Sequence, residues 1–176
     1  MDENEAEEAI ASGLNRLGVC PGDTILVHSS LHSLGRVPGA AETVIRGLLA
    51  AVGREGTLLM PALSYSQRPF DVHDTLLTPS CVGVIPEQFR RRPGTLRSVH
   101  PTHSVCGAGR RAEELLRRHV RDSTPCGRFS PFNLMMDRNA KIVMLGCGLK
   151  PNTTMHAIEE YVSPPYLLDG ECVFTI

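Results

Sequence analysis

The chain has no tryptophan and only three tyrosines and five phenylalanines in 176 residues, so it lacks the aromatic platforms on which nucleic-acid bases stack. Its lysines and arginines, 18 in all, are balanced by 19 aspartates and glutamates, leaving a formal net charge of -1. No broad positive field would draw it to nucleic acid, which is not expected as a partner. No apolar run approaches the roughly 20 residues that span a bilayer, and the N-terminus "MDENEAEEAI" is acidic where a secretory signal is basic and then apolar. A cytoplasmic protein with no membrane partner is expected. The six cysteines are scattered and form no C-x-x-C pair, which fits reduced thiols used as small core residues better than a disulfide lattice or a zinc ribbon. G-x-G-x-x-G and G-K-[ST] are missing too, so neither the standard dinucleotide site nor a Walker loop is signalled. Internal repeats and low-complexity segments are likewise lacking.

What the chain does have is 41% apolar residues, enough for one substantial core and a single domain over residues 1–176. Helical and extended patterns alternate. "NEAEEAIASGLNRLG" is an amphipathic helix closed by Gly18, "DTILVH" a buried strand, "AAETVIRGLLAAVG" a second helix and "EGTLLMPA" a second strand. A long polar connection, residues 63–80, has no clear period, and connections of that length in a compact domain tend to be functional. "VGVIPEQFRRRPG" is a short helix, "SVCGAG" an extended piece, "GRRAEELLRRHV" and "RFSPFNLMMDRNA" are helical, "KIVMLGCG" is a strand and "NTTMHAIEEYV" a last helix. This order predicts an α/β layered domain with a mostly parallel central sheet flanked by helices.

In such sheets ligands collect where strands end and loops lead into helices. "HSSLHSLG", residues 28–35, is such a loop. Small residues let backbone N–H groups approach an anion, serine hydroxyls add donors, and a helix start follows, so a phosphate or pyrophosphate would suit it. Read alone, it is equally a serine-rich surface turn. In "GCGLKPNTTMHAIEEYV", His156 falls in the first turn of a helix, where an added positive charge is disfavoured, with Glu159 and Glu160 at i+3 and i+4. A histidine with an acidic orienting partner is a general-base arrangement; a packing histidine beside a solvated acidic face is the alternative. "LRSVHPTHSV" gathers Arg97, Ser98, His100, His103 and Ser104. As metal ligands His100 and His103 would need a third group such as His73 or Asp74, and the spacing matches no standard zinc site, so no metal is expected.

Taken in order, "HSSLHSLG" with "GAAETVIRGLL", "GREGTLLMPALS", "FDVHDTLLTPSCVGVIPEQFRRRPGTLRSVHPTHSVCGAG" and "KIVMLGCGLKPNTTMHAIEEY" resemble the motifs of the aminoglycoside N3-acetyltransferases, which use acetyl-CoA to acylate the 3-amino group of 2-deoxystreptamine antibiotics. The resemblance runs from about residue 20 onward. It implies that His28, Ser29, Ser30, Leu31, Ser33 and Gly35 hold the CoA pyrophosphate and pantetheine, with Ser104 of the H-P-x-x-S motif close by. The N-T-x-x-H-x-x-E motif implies His156 as general base and Glu159 as its acid. Asp71, in F-D ahead of T-P-S, and Glu160 are expected to receive substrate amines, and Arg97 and His100 to form the cleft. The family normally continues past "LLDGECVFTI", so a C-terminally shortened member is expected, with an exposed strand edge and an uncovered apolar face that favour association. Two other functions remain open: a CoA-binding protein without full activity, and a covalent acyltransferase or hydrolase using a serine or Cys147, although the G-x-S-x-G elbow is absent.

Overall fold

The computed structural model describes residues 1–66, 71–168 and 170–176. Part of the long polar connection, residues 67–70 with the Phe70 of the F-D pair, lies outside the described residues.

The acidic start becomes helix α1 (Glu3–Arg16) because Asp2 and Glu5 form a capping box, Oδ1 of Asp2 accepting from the Glu5 N–H at 2.9 Å and Oε2 of Glu5 accepting from the Asp2 N–H at 2.8 Å. Two of the orphan donors of the first turn are thereby satisfied. Replacing Asp2 by alanine is expected to cost about 1 kcal/mol, read as a lower urea midpoint with an unchanged slope.

The remaining elements are β1 (Thr24–Ser29), α2 (Ala40–Val52), β2 (Thr57–Pro61), α3 (Val84–Arg90), β3 (Leu96–Arg97), β4 (Val105–Gly109), α4 (Ala112–Leu116), α5 (Pro131–Leu134), β5 (Lys141–Leu145) and α6 (Thr154–Val162), with short 3-10 turns at His32–Leu34, His119–Arg121 and Met136–Arg138. Among the described residues one sheet carries five strands in the order β3-β4-β2-β1-β5. Its central strands are covered on both faces, which is why their sequences are apolar runs without alternation. Ile25, Val27, Leu58 and Met60 join a cluster with α1, α2 and α3, while Leu26 and Leu59 point the other way into a second cluster with α4, α5 and α6. Gly47 of α2 lets α1 approach closely, since a Cβ there would stand 2.8 Å from the Cβ of Ile10.

The layered α/β class is as the sequence suggests, with a different balance of strand directions. β1 is parallel to β2 and to β5, but β4 runs antiparallel to β2 and to β3. The reason lies in β3, two residues long and too short to give a pattern. It turns back through residues 98–104 into β4, so β4 enters the sheet from a hairpin and not from a helical crossover. Among the described residues β3 and β5 are the edge strands, and Ile142 of β5 and Met155, Ile158, Tyr161 and Val162 of α6 are exposed. No helix of the described residues is long and apolar enough to cross a membrane.

Candidate active site

Because β5, β1 and β2 are parallel neighbours, their C-terminal ends open on one edge of the sheet, and antiparallel β4 begins there. Four segments distant in sequence therefore meet, as the position of ligand sites in open α/β sheets leads one to expect. The serine turn leaves β1 there, its Ser30 N–H donating to the Leu145 carbonyl at 2.9 Å. The glycine turn leaves β5 directly against it. Gly146 (φ 69°) would place a Cβ 2.9 Å from the Ser30 carbonyl oxygen, so only glycine allows this approach.

Between these turns lies a cleft of about 220 Å³, lined by His28 and Ser29 of β1, Leu63 and Tyr65 after β2, His103 before β4, and Lys150, Thr153 and His156 after β5. His28, only 5% exposed, is pushed down to about 4 by burial. Its Nε2 and the Oγ of Ser29 are enclosed and have no hydrogen-bond partner among the described residues. His103 is also pushed down to about 4, first by burial and then by the neighbouring His156.

His156 sits where the sequence places it, in the first turn of α6. Asn152 starts that turn, its Oδ1 accepting from the Thr154 N–H at 3.3 Å. Glu159 Oε2 lies 2.7 Å from His156 Nδ1. With Nδ1–H donating to the carboxylate, Nε2 is the nitrogen left to accept a proton. Glu160, one residue on, is engaged elsewhere. It accepts from Thr124 Oγ1 at 2.6 Å and from the Cys126 N–H at 2.7 Å, tying residues 124–126 to α6.

The other residues singled out in the sequence divide. Ser30 and Ser33 face each other across the serine turn, their Oγ atoms 3.0 Å apart, and Gly35 (φ 74°) ends it. Leu31 packs half-buried against the α1–α2 side of the core. The Glu3 carboxylate lies against Gly39, where α2 begins, and answers its positive end. Ser104 is fully buried away from the cleft lining, donating to the Ala62 carbonyl and accepting from Arg97 Nε, both at 2.8 Å. Arg97 also donates to the carbonyls of Thr75, Thr78 and Ala62, clamping the 75–78 loop onto the end of β2. His100 organises its own hairpin, Nδ1 accepting from the His103 N–H at 2.9 Å while its ring stacks on His119 at 4.8 Å. Its outer side faces a larger open cavity of about 1170 Å³ that shares Tyr65 with the cleft and includes Asp122 and Glu171. Asp71 is exposed beside the Val72–Thr175 bridge, outside the residues that line the cleft.

His103, Tyr65 and Lys150 were not singled out as site residues from sequence. For His103 a signal existed, since it lies in the hairpin that also carries His100, but only the antiparallel course of β4 brings it to this edge. A hydroxyl–imidazole pair does exist, Ser98 Oγ donating to His119 Nδ1 at 2.9 Å, yet both side chains are buried and the hydroxyl also accepts from the Val105 N–H. It is a packing contact. The Cys147 thiol is pushed up by burial, which keeps it protonated and a weak nucleophile.

The family model described as aminoglycoside 3-N-acetyltransferase matches residues 26–174. Aminoglycoside N(3)-acetyltransferase IV of a Salmonella species is 35% identical over 166 residues, a match covering 94% of this chain and 62% of that protein. The apoenzyme structure of aminoglycoside acetyltransferase AAC(3)-IVa superposes with a TM-score of 0.84 at 31% identity, over 91% of this chain and 61% of that one. AAC-IIIb, solved as a binary complex with CoASH, gives 0.80 at 30% identity, over 88% and 64%. This chain thus spans less than two thirds of the length of each of these three.

Proposed function

This chain belongs to the aminoglycoside 3-N-acetyltransferase family, and from that premise we propose that it transfers an acetyl group from acetyl-CoA directly to an amine of an aminoglycoside, with His156 as general base. One observation carries this reading: His156, with Glu159 2.7 Å from its Nδ1, lines the same 220 Å³ cleft as His28 and Ser29 at the end of β1.

The residues present fit the co-substrate. His28 and Ser29 line the cleft, and their enclosed Nε2 and Oγ atoms have no hydrogen-bond partner among the described residues. The hydroxyls of Ser30 and Ser33 lie just outside, where a diphosphate would need donors. Acetyl-CoA supplies the acetyl group as a thioester. The chain's part is then positional and acid–base. An aminoglycoside amine is largely protonated near neutral pH and loses one proton to solvent to become a nucleophile, and His156 Nε2 takes the second proton, which must leave the nitrogen as it attacks. Glu159 holds the ring by Nδ1 and stabilises the imidazolium, which can return that proton to the departing thiolate. The larger cavity at Tyr65, with Asp122 and Glu171 on its wall, has room for the rest of a cationic sugar. A cytoplasmic setting, where acetyl-CoA is made, belongs to the same proposal.

The test is thiol release with acetyl-CoA and a panel of aminoglycosides. Turnover dependent on both substrates, with sequential kinetics, is expected. Binding of acetyl-CoA with no thiol released by any amine would leave a CoA-binding protein instead, and a burst followed by ping-pong kinetics would mean a covalent acyl-enzyme.

A further inference from the structure

Lysine is scarce in this chain. Of the 18 lysines and arginines only Lys141 and Lys150 are lysines, and the two are placed differently. Lys141 is paired with the Asp23 carboxylate. Lys150 is exposed and lines the cleft together with His156, and its ammonium has no ion pair or hydrogen bond among the described residues. Its backbone is held in a turn, because the Asn152 N–H donates to the Leu149 carbonyl at 3.0 Å across Lys150 and Pro151. None of the residues that line this cleft is a carboxylate. An unanswered ammonium on a cleft wall suits an anionic oxygen group, which it meets by a charge-assisted hydrogen bond. A polyamine is disfavoured at the same point, since like charges repel.

Of the two substrates in the acetyl-transfer reading, the acceptor is a cation and only the donor carries anions, the phosphates of CoA. We propose that Lys150 is an anion-binding residue of the donor site, its ammonium donating to a diphosphate oxygen of acetyl-CoA. For the identity of the ligand the inference rests on the acetyl-transfer reading. The choice of the diphosphate comes from the neighbouring turn. Residues 146–150 leave β5 directly against the serine turn, where the Ser30 N–H donates to the Leu145 carbonyl at 2.9 Å and a Cβ on Gly146 would stand 3.3 Å from the Ser33 Cβ. The hydroxyls of Ser30 and Ser33 are neutral donors, which hydrogen-bond a diphosphate without answering its charge. Lys150 is the counter-charge that they lack. A lysine serves here as a point charge on a long stem, able to follow a phosphate oxygen without the fixed fork of an arginine.

The experiment compares the wild type with Lys150→Met, which keeps most of the stem and removes the charge, and with Lys150→Arg, which keeps the charge. Binding is measured for CoASH, for 3′-dephospho-CoA, which retains the diphosphate, and for pantetheine, which has the thiol arm and no phosphate. In Lys150→Met the affinities for CoASH and 3′-dephospho-CoA should both fall about ten-fold. Pantetheine affinity should stay within about two-fold, which also shows that the cleft is intact. Lys150→Arg should hold CoASH within about three-fold of wild type. Equal weakening of all three ligands, or no weakening of CoASH, overturns the proposal, and the second result moves the matching anion to the acceptor. An effect on CoASH that is missing with 3′-dephospho-CoA places the ammonium at the 3′-phosphate and overturns the diphosphate assignment. A wild-type chain that binds CoASH and releases no thiol overturns the acetyl-transfer reading alone, because Lys150 is judged on binding. A wild-type chain that binds pantetheine as tightly as CoASH makes no use of phosphate and overturns the inference.

Discussion

Replacing His156 by alanine is expected to lower kcat for thiol release about 10²- to 10⁴-fold while leaving the affinity for CoASH within about two-fold. The side chain is 58% exposed and its partner Glu159 48% exposed, so their ion pair contributes at most about 1 kcal/mol to folding. The variant should therefore unfold at nearly the wild-type temperature, and lost turnover cannot be put down to a lost structure. Glu159→Gln separates orientation from proton transfer. An amide can still accept from Nδ1–H at 2.7 Å but does not stabilise imidazolium by charge, so a loss of about ten-fold, smaller than for His156→Ala, is expected. Wild-type turnover in His156→Ala would remove this histidine from the mechanism and direct attention to His28 and His103, which also line the cleft.

The two strongest local patterns in the sequence gave the two ends of the site. A serine-rich exit from an apolar strand and an N-T-x-x-H-x-x-E helix start are written in contiguous residues, and both are where they were expected. Other placements depend on the tertiary structure. Arg97, Ser104 and His100 sit in the correct neighbourhood, but their hydrogen bonds run inward, to carbonyls of Ala62, Thr75 and Thr78 and to the His103 amide. A one-dimensional motif lists which residues accompany a site; it does not say whether a side chain faces the ligand or braces the wall behind it. Glu159 and Glu160 make the same point within one helix turn, since adjacent carboxylates diverge by 100° and one meets His156 while the other pins residues 124–126. The direction of β4 was equally hidden, because it is set by a two-residue strand and a hairpin whose turn carries no Asn-Gly or Asp-Gly signal.

That same hairpin makes the protein sensitive to acid. His103 on the cleft wall packs with His100 and His119, and the three are pushed down to about 4, about 3 and about 4, in each case chiefly by burial, with His28 also at about 4. All four lie below the ordinary 6.5 of an unfolded histidine. Between these values the unfolded chain binds protons that the folded chain refuses, so the stability they allow is complete above pH 6.5 and is lost as pH falls toward 4. Each lowered histidine weakens folding by about 1.4 kcal/mol per pH unit through that window, or about 2 kcal/mol at pH 5. Four together approach the whole stability of an ordinary domain, about 5–15 kcal/mol. Burial pushes the Asp122 carboxyl the opposite way, above its ordinary range, which opposes the loss only nearer pH 4. Urea unfolding followed from pH 8 to pH 5 should show flat stability above about pH 7 and then a fall whose slope corresponds to an uptake of three to four protons, about 4–6 kcal/mol per unit. His119→Leu, which removes the ring stacked on His100, should shed one proton from that slope even if it lowers stability at pH 8. A curve that stays level down to pH 5 would mean that these imidazoles reach water, and with it the neutral state assigned to His28 and His103 at the cleft would fall.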